Sequence, residues 1–116
     1  MTTVELLEKA KKKIEKGWCQ ETLAKDAKGR IVSERSRDAC QWCSVGAILA
    51  ALPIKEWRKE QEIGFSTLAE TMEGFLEKAM GSVSVAHWND RPGRTQQQVI
   101  AAFDKAIAAA KKKETR

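Results

Sequence analysis

The stretch CQWCSVGAILAAL, from Cys40 to Leu52, constrains this chain more than any other feature. Gln41 and Ser44 are its only polar side chains, it is rich in alanine, and Pro53 follows it. A helix that is apolar on all sides has to be covered on all sides. The stretch therefore reads as a buried central helix over 40–52, with Pro53 marking its end. Gly46 and Ala47 are small enough to let a neighbouring element approach its backbone. The longest wholly apolar run, Val45 to Leu52, falls far short of the ~18 residues that a membrane span requires, so the cover must be protein.

The remaining segments supply that cover. Thr3 can cap a helix whose apolar positions Leu7, Ala10, Ile14 and Trp18 recur at three- and four-residue steps, with Gly17 at its end. Ile54 to Glu62 forms a short helix opened by Pro53. A further helix runs from Ser66 to Met80 and stops at Gly81, with Leu68, Met72, Phe75, Leu76 and Ala79 on one face. Ser84 starts one turn carrying Val85 and Trp88. Thr95 and Gln98 make a capping box for the last helix, whose inward stripe is Val99, Ile100, Phe103, Ile107 and Ala110. Between the first helix and the apolar run, TLAKDAKGRIV holds an Asp-Ala-Lys-Gly turn between two strand-like arms, which predicts a small β-hairpin over 22–32. The expected architecture is mostly α: a compact single-domain bundle of about five helices with one hairpin, residues 113–116 fraying.

Charge and cysteine usage narrow the setting. The net charge is +5, and two lysine runs, Lys11 to Lys13 and Lys111 to Lys113, fall in the last turns of predicted helices. Cations there complement the helix dipole, and any surplus attracts a phosphate-rich or acidic partner. The N-terminus interleaves acidic and basic residues, unlike a signal peptide. Three cysteines, an odd number, argue against a disulfide framework. The expectation is a bacterial host cytoplasm.

Three groups of residues could carry chemistry. Cys40 and Cys43 have CxxC spacing, but Cys19 and His87 are the only other strong ligands, so a zinc site would consume every cysteine and the only histidine. No metal and no cofactor is expected. A thiol nucleophile, with His87 as base and Asn89 or Asp90 orienting it, matches by inventory alone. The stretch AHWNDRPGRT is richer. Trp88 offers a stacking face, Asn89 both donors and an acceptor, and Asp90 acceptors only. Arg91 and Arg94 can fork onto a phosphate, and Thr95 opens a helix whose free N–H groups favour an anion. The same residues can also serve as helix caps and a core plug.

Gly17-Trp18 followed by Gln20, D-x-x-G at Asp26 to Gly29, A-x-x-W-C-x-x-G-A from Ala39 to Ala47, W-N-D at 88–90 and R-T at 94–95 form a combination that spans nearly the whole chain. It resembles an uncharacterised family, a domain of unknown function, of small helical proteins from bacteria and their phages. The resemblance implies a shared fold and shared motif positions, and no activity. The family pattern includes the position of Cys43 but not Cys19, Cys40 or His87. It leaves Trp42, Cys43, Trp88, Asn89, Asp90, Arg94 and Thr95, to which the residue chemistry above adds Arg91, as the candidate ligand-binding set, with no catalytic residue among them.

The leading expectation is a non-enzymatic binding module for a small anionic, nucleotide-like ligand, of the kind a phage would encode to sequester a host immune signal. The alternative is a protein-binding, anti-CRISPR-like inhibitor with an acidic protein partner. A small thiol-dependent enzyme is the third reading. No membrane contact and no sequence-specific DNA binding are expected, because no helix-turn-helix signature is present and the lysines sit at helix ends. Self-association is left open.

Overall fold

Helix α1, Thr3–Lys16, begins one residue earlier than the periodicity suggests. Thr2, not Thr3, is its cap: the Thr2 side chain accepts from the Glu5 backbone N–H, and the Glu5 carboxylate accepts from the Thr2 backbone N–H. The computed structural model describes residues 2–114. Its further elements are strands β1, Ala24–Lys25, and β2, Gln41–Trp42, and helices α2, Ser44–Ala51, α3, Ile54–Ile63, α4, Thr67–Met80, α5, Val85–Asn89, and α6, Gln96–Glu114. The class is mostly helical with a small two-stranded antiparallel sheet, as expected, with six helices rather than about five. Residues 113 and 114 continue α6 instead of fraying, while 115–116 lie outside the described residues.

The apolar run is central, but only its second half is helical. Cys40 to Cys43 is extended, and Gln41–Trp42 pairs antiparallel with Ala24–Lys25. The helix starts at Ser44, with Cys43 as its cap. The placement of Cys40 and Cys43 on one helical face is thereby corrected. Residues as apolar as these satisfy the hydrophobic requirement as a strand or as a helix, and pairing with β1 decides the matter. The expected hairpin is corrected in the same way. Its turn is present: Asp26 accepts from the Lys28 and Arg30 backbone N–H groups, and Gly29 takes a left-handed φ of 79°. The second arm, however, makes only a single bridge at Ile31, and the ladder goes to β2.

α2 carries Ser44, Gly46, Ala47, Ile48, Leu49, Ala50 and Ala51 buried, so it is covered on every side. α1 covers it with Leu6, Leu7, Ala10 and Ile14, α4 with Ala69, Met72 and Leu76, and α6 contributes Val99, Ala102, Phe103 and Ala106 to the same core. Gly46 has the predicted close neighbour. A Cβ there would collide with the Leu23 backbone carbonyl, which leads into β1. α3 is the exception to this packing, because none of its residues is buried. Arg35 closes the other end of α2 by donating to the carbonyls of Leu49 and Leu52, both at 2.9 Å.

Candidate functional site around Asn89

Ser84 caps α5, and that single turn aims three consecutive side chains in different directions. Asn89 points inward and is fully buried. Its Oδ1 accepts from the Trp18 indole at 2.8 Å, the Ser44 backbone N–H at 3.0 Å and the Ser44 hydroxyl at 2.6 Å. Its Nδ2 donates to the Cys19 carbonyl at 3.2 Å and to Asp90 Oδ1 at 2.9 Å. One amide thus ties the loop after α1, the first residue of α2 and α5 together. Every buried polar side-chain atom among the described residues has a partner, as a buried network requires if it is not to destabilise the fold.

The neighbours tighten this knot. Asp90 Oδ1 also accepts from the Glu21 backbone N–H, where the chain takes a left-handed φ of 71°. The Gln20 amide donates to the carbonyls of Asn89 and Arg91. Gly17 lies under the Cys40 carbonyl, which leaves no room for a Cβ. Arg94 Nε donates to the Trp88 carbonyl at 2.9 Å, and its guanidinium lies 3.5 Å from the centre of the half-buried Trp88 ring. Thr95 and Gln98 exchange the two hydrogen bonds of the expected capping box. Gln96 donates back to the Ile14 carbonyl and closes the C-terminal end of α1.

The eight candidate residues therefore divide. Asn89 and one oxygen of Asp90 are engaged internally. Trp88 has one face under Arg94. Arg91 and Thr95 are exposed, and Arg94 is half-exposed with no hydrogen bond from its terminal nitrogens among the described residues. Neither arginine forms an ion pair among the described residues, and burial together with neighbouring Arg91 lowers the Arg94 guanidinium from its ordinary range. Trp42 and Cys43 belong to the core side of the knot. Trp42 is buried and donates its indole N–H to the Glu34 carbonyl, and Cys43 Sγ accepts from the Gly46 N–H at 3.3 Å.

Burial pushes the Cys43 thiol up, and it pushes Cys19 up to about 11, so both are protonated at neutral pH. The exposed His87 makes no ring hydrogen bond to either thiol among the described residues. No group of three or more His, Cys, Asp or Glu among the described residues is placed to hold a metal ion.

A second cluster lay outside the sequence reading. Glu34 is buried, and its carboxylate accepts from the Trp57 indole of α3 at 2.8 Å while its carbonyl serves Trp42. Arg35 lies over Trp57 and Lys13 over Trp42, at 5.3 and 4.9 Å. Nothing in the polar stretch SERSRDA marks Glu34 as buried. The only available signal was a tryptophan, Trp57, on a helix with few other apolar residues.

Of the motif positions, Trp18, Gln20, Asn89 and Asp90 meet at this tied corner, while the Asp26 carboxylate serves its own turn through Lys28 and Arg30. The chain belongs to DUF6197, a family of unknown function. The DUF6197 match covers residues 1–109, which include both the Asn89 knot and the Glu34 cluster. No curated protein and no solved structure matches this DUF6197 chain. No helix among the described residues is long and apolar enough to cross a membrane.

Proposed function

We propose that this DUF6197 protein is a non-enzymatic binding module for a small, phosphate-bearing, nucleotide-like anion, held at the rim of the Asn89 knot. The observation that carries the reading is the arginine pair. Arg94 is pinned over Trp88 by one nitrogen, its outer nitrogens have no hydrogen-bond partner among the described residues, and neighbouring Arg91, like Arg94, forms no ion pair among them. A planar guanidinium fixed in this way is pre-organised to fork onto a phosphate. The start of α6 adds backbone N–H groups beyond those its capping box uses. The knot thus supplies rigidity and the rim supplies the contacts. This differs from a base stacked on Trp88, because Arg94 already covers one face of that ring. Sequestration of a nucleotide signal in a bacterial cytoplasm, as a phage-encoded antagonist of host immunity, is the role proposed.

The test is calorimetric titration with mono-, di- and cyclic nucleotides and with pyrophosphate. Arg91→Ala should keep the melting temperature of the wild type and weaken binding roughly 10- to 150-fold, the loss of one charge-assisted contact of about 1.5–3 kcal/mol. A wild type that binds none of these anions would refute the reading.

A second reading, an inhibitor that docks on a host defence protein, is favoured by α3. That helix buries no residue, and Ile54, Ile63 and the adjoining Phe65 are 47%, 69% and 49% exposed. Of these, Ile63 and Phe65 lie two residues apart at the end of the unburied helix, and exposed large apolar side chains of this kind suit a protein contact. Under this reading Ile63→Asp with Phe65→Asp abolishes protection of a phage from a defended host while the fold is retained. Under the anion reading protection is unaffected.

A further inference from the structure

Two opposite charge ridges stand on the outer faces of α1 and α4. On α1, Lys9, Lys13 and Lys16 recur at i, i+4 and i+7, and none of them forms an ion pair among the described residues. Lys13 is half-buried with its ammonium over Trp42, and the charges that bear on it, Lys16, Lys9 and Arg35, are all positive. On α4, Glu70, Glu73 and Glu77 recur at i, i+3 and i+7. Glu73 is half-buried, and the charges that bear on it, Glu60, Glu77 and Glu70, are all negative. Burial and like charges lower the one and raise the other, the signature of a charged group without a counter-charge.

Two features make these ridges complementary. Each spans eight residues of a 14-residue helix, seven helical rises, so each is about 10 Å long. Their signs are opposite, and each carries at its centre the side chain that has lost most of its water. Three groups of the other sign are already engaged. Glu5 is held in the α1 capping box, Glu34 by Trp57, and Lys59 by Glu56. Lys11, which faces the other way, pairs with Asp104 of α6.

We propose that the lysine ridge of α1 docks on the glutamate ridge of α4 in a second copy of this chain. The contact places Lys13 against Glu73 and gives each the counter-ion it lacks within one molecule. Because the two surfaces are unlike, the association is governed by charge pairing and is screened by salt, whose Debye length falls from about 10 Å at 0.1 M to about 3 Å at 1 M. The proposal is independent of the anion site at Arg91 and Arg94, which lies on neither ridge.

The experiment is sedimentation equilibrium up to millimolar protein, with the ends of the ridges reversed, of which Lys9, Lys16 and Glu70 are exposed, so that half-buried Lys13 and Glu73 stay in place. The wild type should exceed its monomer mass of 13.0 kDa at low salt and return to it at high salt. Lys9→Glu with Lys16→Glu should be monomeric throughout, and so should Glu70→Lys with Glu77→Lys, each with a native circular dichroism melt. Mixed at low salt, the two variants should associate, because an acidic α1 then meets a basic α4, although both proteins keep a net positive charge. A wild type that stays monomeric at low salt overturns the proposal. So does association that survives in either double variant, or a mixture that stays apart where the wild type associates.

Discussion

Asn89 makes five side-chain hydrogen bonds inside the protein, and their partners explain why a plain Pro-Gly connection would not do. Asn89→Ala leaves the Trp18 indole N–H and the Ser44 N–H buried without acceptors, each at a cost of about 1–3 kcal/mol. Chemical denaturation should show a loss of about 3–5 kcal/mol, whereas exposed Arg91→Ala should stay within about 0.5 kcal/mol of the wild type. The residue types at 88–95 were legible in the sequence as polar chemistry beside a tryptophan. Their direction was not. Trp18 lies 71 positions from Asn89 and Ser44 lies 45, and no local pattern shows that they meet. A side chain that can satisfy a ligand can equally satisfy a buried backbone.

Elements were legible where capping and periodicity agree. Ser66 and Gly81 bound α4 as expected, the Thr95–Gln98 box opens α6, and Val99, Phe103, Ile107 and Ala110 are buried along it. They were illegible where composition permits two conformations. Cys40 to Cys43 is apolar enough for a helix, and its extended form depends on a strand some sixteen residues earlier in the chain. Two glycines within helices separate packing from propensity. Gly46 faces the Leu23 carbonyl, so Gly46→Ala forces backbone apart and should cost at least the upper part of the ~1–3 kcal/mol range for overpacking. Gly74, in the middle of α4, has nothing within 4 Å of where its Cβ would stand. Gly74→Ala should therefore raise stability by about 1 kcal/mol, the propensity difference alone. Thermal melts of the two variants should move in opposite directions.

For the whole molecule, α1, α2, α4 and α6 share one hydrophobic core that Val85 of α5 enters, and hydrogen bonds centred on Asn89 tie α5 and the loop 17–21 to it as well. α3 hangs outside, tied by Trp57 to Glu34 and by Glu56 to Ser66. Two levels of stability follow: α3 opens locally, and the knot opens only with the core. The anion reading rests on that rigidity, since a rim that moves freely could not hold Arg94 ready. Native-state amide hydrogen exchange reads it directly at Ser44, whose N–H is held by the Asn89 side chain and by no backbone carbonyl. Ser44 should exchange only through global unfolding, with the same free energy and denaturant dependence as Ile48 in the centre of α2, and amides of α3 should exchange far sooner. Exchange of Ser44 at the rate of the α3 amides would show that the knot opens on its own, and would contradict the claim that it locks this corner to the core.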